Sequence, residues 1–296
     1  MSAHSEAVGK ASAGRRGKDR GFQLGLLFCV AVSVVLLAVL LVDVVADGVG
    51  RLSWDFISSF TSISADQAGI QAALWGTIWL MGVCAAFIVP VGVATAIYLE
   101  EYADSTKWWN RLIEVNIQNL AAVPSIVYGI LGLAFLVRGP LSLGNVVLAG
   151  GLTLGLLVLP VVIIAGREAI RAVPPSIREG SMALGATQWQ TIWRQVLPAS
   201  IPGIATGVIL ALSRAIGETA PLIVIGAVTV IAFNPTGLDS PFTAMPIQIF
   251  DWISRPSNDV NDYRPLAAAG ILLLMILLVA MNSVAIWLRN RYEQKW

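Results

Sequence analysis

Charge is scarce in this chain of 296 residues: 12% of them are Asp, Glu, Lys or Arg, against about 25% in ordinary soluble domains. What charge exists nearly cancels, with 19 basic and 18 acidic residues. The chain as a whole therefore has no polyanion-binding character, and no nucleic-acid partner is expected. Histidine is limited to His4 and cysteine to Cys29 and Cys84, each cysteine inside an apolar run. That excludes a disulfide framework and a Cys/His metal site. The sequence also lacks a G-x-x-x-x-G-K-[ST] run, since Gly9-Lys10 is followed by Ala11 and has no upstream glycine. With no phosphate-cradling loop, no cofactor site and no ATP hydrolysis of its own are expected. G-x-S-x-G and H-E-x-x-H are missing too, so no catalytic residues are assigned.

What the chain has is hydrophobic length: 56% of residues are apolar. Runs without Asp, Glu, Lys or Arg cover 22–42, 74–99, 115–137, 139–166 and 265–288. Each reaches the roughly 20 residues that a helix needs to cross about 30 Å of hydrocarbon. A sixth region, 195–238, is interrupted only by Arg214 and Glu218 and is long enough for a span and an external segment. The fold expected is an all-α integral membrane domain of six transmembrane helices over 22–288, with a polar leader at 1–21 and a short tail at 289–296. The first run follows Lys10, Arg15, Arg16, Lys18 and Arg20, as a secretory signal would, and Val44-Val45-Ala46 loosely resembles a cleavage site. Its 21 residues exceed the roughly 7–15 of a signal core, and an uncleaved span is the reading adopted.

Basic residues orient the spans. With both termini inside the cell, fourteen of the nineteen Lys and Arg fall in cytoplasmic segments and four fall outside. The reverse orientation inverts that bias, so a multi-pass cell-membrane protein with cytoplasmic termini is expected. Two external loops, 47–73 and 232–264, carry Trp54, Phe56, Ile57, Phe60, Phe242, Phe250 and Trp252. Interfacial anchoring is the simple reading for such aromatics, and contact with an external partner the sharper one. Asp43 and Asp47 read as interfacial acids.

Arg214 and Glu218 are four apart, so on one helix they share a face and can pair. If Pro202 opens the fifth span, Arg214 lies about 18 Å along it, near mid-bilayer. A lone Arg there costs at least roughly 2.5–3.5 kcal/mol. Two readings stand: Arg214 lines a path and meets an anion through its planar donor fork, or the pair is a structural lock. Gly217 and Pro221 would break the span just past the pair and open backbone N–H groups to an anion. Asn119, Pro124, Ser125 and Gly129 lie within the third span, where Pro124 kinks the helix; the kink either opens a cavity or leaves a bent, packed helix. Arg167 ends the fourth span, as a path residue or as a positive-inside anchor.

The loop 167–201 joins spans four and five. Pro174-Pro175 breaks the chain, Ser176 is expected to cap a short helix with Glu179 at the capping-box spacing, and Gly185 to stop it. A second short helix is expected from Thr187 to before Pro198. Ile177, Met182, Ala183, Leu184 and Ala186 give a short apolar face, suited either to a groove on another protein or to the headgroup layer.

Glu179-Gly180-Ser181-Met182-Ala183-Leu184-Gly185, nine residues, then Gln195-Val196-Leu197-Pro198 resembles the EAA loop of bacterial ABC importer permeases: E-A-A, three residues, G, nine residues, I-x-L-P. Glu179, Gly185, Leu197 and Pro198 match; Gly180, Ser181 and Gln195 depart. Three further stretches are similar to phosphate ABC transporter permeases: 119–129, Ser213-Arg214-Ala-Ile-Gly217-Glu218-Thr219-Ala220-Pro221, and 245–256. The last looks closer to the PstA-type subunit than to the PstC-type.

The resemblance implies a type I importer permease architecture with a cytoplasmic coupling helix. Glu179, Gly180, Ser181, Ala183, Leu184 and Gly185 would couple to an ATPase, and Arg214, Glu218, Thr219, Ser125, Asn119 and Arg167 would line the substrate path. It implies as partners a second, PstC-like permease, two ATP-binding subunits that use the ATP, an extracytoplasmic phosphate-binding protein, inorganic phosphate and membrane lipids. The alternatives left open are another oxyanion or small solute, and a channel or scaffold that works without ATP.

Overall fold

The computed structural model describes residues 13–104, 106–228, 230–256 and 262–292. Residues 1–12 and 293–296, with His4, Lys10 and Lys295, lie outside the described residues. In chain order the helices are α1 (Ala13–Gly48), α2 (Trp54–Ser58), α3 (Gln71–Ile97), α4 (Trp108–Ala121), α5 (Ser125–Leu131) and α6 (Val147–Arg171). Then follow α7 (Pro175–Ala183), α8 (Gln188–Thr191), α9 (Leu197–Ala215), α10 (Ala220–Val224), α11 (Met245–Ser254) and α12 (Arg264–Tyr292). Wide π turns extend α3 (Tyr98–Tyr102) and α5 (Gly132–Val137) and join α8 to α9 (Ile192–Val196). Among the described residues there is no strand, only an isolated bridge between Val146 and Pro241.

Five helices are long and apolar enough to cross a membrane, or six if a bent pair counts as one span. Six is the number that the sequence predicts, and the shape differs. The third span is not one kinked helix: the chain turns by 110° between α4 and α5. The amides of Ala122 and Val123 close the last turn on the carbonyls of Asn119 and Leu120. Pro124 then has no N–H to carry the helix on, and serves as the N-cap of α5. Across the bend, Tyr128 Oη donates to the Leu120 carbonyl at 2.9 Å.

The fifth span also starts elsewhere. Pro202 lies inside α9, and the continuous helix begins at Gln188. The short helix expected to stop before Pro198 instead runs into α9, because the wide turn at 192–196 takes up the register slip forced by the missing Pro198 donor.

α6 forms the centre, with α3 on one face and α9 on another. Between lipid-embedded helices, small residues permit close backbone approach. A Cβ on Gly155 would stand 2.6 Å from Phe87 Cδ1 of α3, and one on Gly203 of α9 would stand 2.6 Å from Ala169 Cβ of α6. Leu80, Cys84, Ile88, Leu154, Val158 and Ala211 fill these seams. At the end remote from the arginine-rich 167–194 segment, a second cluster joins Phe56, Ile70, Met245, Ile249, Trp252, Tyr263 and Leu266.

The two clusters correct the reading of both long loops as interfacial anchors. Phe56, Phe242 and Trp252 are buried, while Trp54 and Phe250 stay exposed. α11 is inserted in the bundle rather than lying in an external loop: the Met245 amide donates to buried Thr77 Oγ1 of α3 at 2.9 Å. The apolar residues around α11 find a better-packed environment against α3 and α12 than at an interface.

Substituting Gly203 by Val is expected to destabilise the bundle by about 1–3 kcal/mol, the usual cost of overpacking. Gly82→Ala, where nothing lies within 4 Å of the added Cβ, is expected to be neutral or slightly stabilising. Thermal unfolding of both variants in detergent checks the contrast.

Candidate functional site

The α6–α9 seam sets the depth of the charged pair. Gly203 meets Ala169 and Gly207 meets Ala165, so the helices run antiparallel and the same register brings Arg214 level with Val158. Val158 lies roughly 16 Å from one end of α6 and 20 Å from the other at 1.5 Å per residue. Arg214 is therefore level with the middle of α6, although Pro202 does not open its helix.

α9 ends one residue later, at Ala215, and α10 starts at Ala220 with Pro221 in its first turn. The fifth span is thus broken at mid-depth, next to the charged pair. Arg214 Nε lies 3.4 Å from Glu218 Oε1. Glu218 is beyond the helix, so the pair closes over a turn rather than along a helix face. The contact is long, the Arg214 side chain is 44% exposed and that of Glu218 19%. The amides of Gly217 and Glu218 donate to the carbonyls of Arg214 and Ala215. Those two donors are used within the turn, contrary to the expectation that the break opens them to an anion.

The two interrupted spans face one another. α10 packs against α5, and a Cβ on Gly129 would stand 2.7 Å from Pro221 Cα. This contact brings the first turn of α5, with half-buried Ser125, to the same region as Arg214, Glu218 and half-buried Thr219. Asn119 is exposed on the last turn of α4, on the other side of the bend. Next to this break, Ser213 Oγ lies 2.7 Å from Asn282 Oδ1 and ties α9 to α12.

Arg167 is not part of that group. It lies nine residues past Val158, about 14 Å further along α6. It is no bare headgroup anchor either: its Nη1 donates to Glu114 of α4 at 2.9 Å, its Nε lies 3.5 Å from Glu100, and its side chain is 14% exposed. Arg171 grips both oxygens of the same Glu100 at 2.9 Å. The next residue, Glu101, takes two contacts from Arg178 of α7, at 2.8 and 3.0 Å. In the sequence Arg171 and Arg178 stand out only as orienting charge, and Arg167 as a path residue or an anchor. The sole signal was the Glu100-Glu101 doublet closing an uncharged run, and it does not say which arginines are near.

In the loop, Pro174 is the N-cap of α7 and Pro175 its first residue, so Ser176 does not cap. Proline suits that place because its missing N–H has no intrahelical partner there anyway. The capping box sits at α8 instead, where Thr187 Oγ1 accepts from the Gln190 amide and Gln190 Oε1 accepts from the Thr187 amide. Gly185 ends α7 with φ +85°, a backbone region that glycine enters without strain.

The apolar residues of α7 do not share one face. Ile177 packs against the cluster of Ala96, Ile170, Val173, Val196 and Ile204, whereas Met182 and Leu184 are exposed, Leu184 at 91%. Glu179, Gly180, Ala183 and Gly185 are exposed with them. Ser181 turns inward, 2.9 Å from Thr191 Oγ1. The result is an exposed tip with a bare leucine, beside a hollow of about 410 Å³ bounded by Ile177, Ser181, Leu184, Gln190 and Arg194.

Residues 88–295 match the family described as binding-protein-dependent transport system inner membrane component. The probable ABC transporter permease protein YqgI of Bacillus subtilis is 30% identical over 276 residues, covering 90% of this chain and 93% of that protein. Phosphate transport system permease protein PstA 1 of Mycobacterium tuberculosis H37Rv is 35% identical over 263 residues, covering 87% of this chain and 83% of its own length. Among solved structures, a bacterial alginate ABC transporter in complex with an alginate pentasaccharide-bound periplasmic protein superposes with a TM-score of 0.69 at 16% identity, over 94% of this chain and 97% of that one. An inward-facing MetNI methionine ABC transporter gives 0.62 at 15% identity, over 75% and 95%. At such identities these structures establish the fold alone: the all-α permease fold of ABC importers.

Proposed function

The chain belongs to the family of binding-protein-dependent transport system inner membrane components, and we propose that it is the PstA-type permease subunit of an ATP-driven importer of inorganic phosphate. The observation that carries the substrate is Arg214. It sits at mid-span beside a helix break, half-exposed, and holds Glu218 at a loose 3.4 Å. A structural lock between helices would be buried and tightly bonded. A guanidinium with open donors suits transient capture of a phosphate oxyanion, with Glu218 neutralising it when no anion is present. A site that releases its ion must not bind it too tightly, and half-compensation serves that need. Thr219 and Ser125, on the two facing interruptions, are the polar residues best placed to share the anion. Asn119 and Arg167 lie further along the route toward the arginine-rich end. The name of the Mycobacterium tuberculosis relative supports phosphate over other oxyanions.

In this reading the arginine-rich end faces the cytoplasm, both termini lie there, and residues 1–21 and 289–296 flank a permease domain at 22–288. No cofactor is held by this chain; ATP is used by two partner subunits. The protruding tip of α7, with Glu179, Gly180, Ala183, Leu184 and Gly185, docks on one of them, and Ser181 braces the tip from behind. A second, PstC-like permease completes the path, and an extracytoplasmic binding protein delivers phosphate to the opposite end. ATP and phosphate binding the two access states differently would drive the alternation.

In membrane vesicles holding the whole complex, Arg214→Gln is expected to reduce ATP-dependent uptake of labelled phosphate to background while the subunits still co-purify. Wild-type uptake by that variant would reduce the pair to a structural element. Gly185→Asp forces a side chain onto a residue with φ +85°, straining the tip by roughly 1 kcal/mol or more. Loss of the ATPase from the purified complex is the expected result, with the spans still folded by circular dichroism. Normal co-purification would place docking elsewhere.

A further inference from the structure

We propose that the Arg178–Glu101 ion pair is the strut that carries movement of the α7 tip into α3, making both residues positioning residues for transport. The inference rests on the functional reading above and goes beyond it by naming the route of transmission. By chain connection alone, the 172–196 segment moves only α6 and α9. α3 is distant in sequence and lines the other face of α6, so a transporter that swings both faces needs a second link.

The geometry supplies one. The Arg178 guanidinium donates from Nε and Nη2 to Glu101 Oε1 at 3.0 and 2.8 Å, from Nη1 to the Val173 carbonyl at 2.6 Å and from Nη2 to the Ile170 carbonyl at 2.8 Å. One planar fork thus clamps α7, the end of α6 and the π turn that closes α3. Gln188 adds a tie from α8, donating to the Glu101 carbonyl at 2.7 Å. The side chains of Arg178 and Glu101 are only 19% and 9% exposed. Surface ion pairs are soft and screened, but removing one partner of a pair this buried strands a charge. The strut therefore resists displacement.

Its footing is broad. Glu100, the neighbour of Glu101, holds Arg167 and Arg171 of α6, while Arg167 also holds Glu114 of α4. A push on α7 therefore reaches α3, α6 and α4 through contiguous charged contacts. The π turn bearing both carboxylates is itself a form that recurs at functional places in helices. Lysine in place of Arg178 would keep the charge but lose the fork that also binds two carbonyls.

The test uses the full complex in proteoliposomes and reads phosphate delivered per ATP hydrolysed. Glu101→Gln and Arg178→Lys are expected to assemble and hydrolyse ATP while that ratio falls about tenfold, within the ordinary range of coupling between sites. The double variant Arg178→Lys with Glu101→Gln is expected to fall no further than the singles, because two groups that act through one contact lose it once. An unchanged ratio in both single variants overturns the strut. So does a double variant whose fold-loss is the product of the two single losses. Should the singles fail to assemble, Glu101→Asp, which keeps the charge and shortens the arm, is read in their place, and an unchanged ratio there overturns the strut as well. Failure of the wild-type complex to import phosphate would strike at the functional reading instead, and is seen before any variant is compared.

Discussion

The contact of α6 with α3 on one side and α9 on the other is what the remaining geometry depends on. It is made at short range by glycine and alanine, with Gly155 against Phe87 and Gly203 against Ala169. In hydrocarbon there is little hydrophobic gain from pairing helices, so close packing and the few available hydrogen bonds must hold them. That packing leaves little freedom for sliding. It places Arg214 level with Val158 and Arg167 beside the end of α3 and the middle of α4.

From this fixed frame, the functional features are departures from regular helix. The chain turns sharply at 122–124, stops at 216–219 and loosens into π turns at 98–102 and 192–196. Broken backbone at membrane depth is tolerated only where protein or a cavity satisfies it. Here the two breaks satisfy one another: α10 packs on α5 through Gly129 and Pro221, and the loose amides bond within their own turns. Beside the second break the Arg214 guanidinium stays partly open. At the arginine-rich end the charges where α3, α4, α6 and α7 meet are paired. Glu100, Glu101 and Glu114 take up Arg167, Arg171 and Arg178, so that end behaves as a braced platform under the α7 tip.

How much of this was legible in the sequence differs from residue to residue. Arg214 and Glu218 stood out because charge inside an apolar run is costly and therefore rare. Gly185 stood out because glycine readily takes the left-handed backbone that ends a helix, and because its spacing from Glu179 resembles the EAA loop. Ser176 was misjudged as a cap because the capping pattern does not register that two prolines just before it already start the helix. Phe56, Phe242 and Trp252 were misjudged as anchors because an aromatic in a loop looks the same whether it meets headgroups or a hidden core.

The sequence by itself determined the number of spans, their approximate limits, the charge at mid-span and the loop that projects between spans four and five. All of these follow from local quantities: run length, the cost of a buried charge, and the backbone limits of proline and glycine. Only the tertiary structure decided which arginine meets which glutamate, that the third span turns through 110°, and that α11 lies inside the bundle. Those outcomes depend on which surfaces come within a few ångströms of one another. That proximity is set by the small-residue seams along α6, whose partners are far away in the chain.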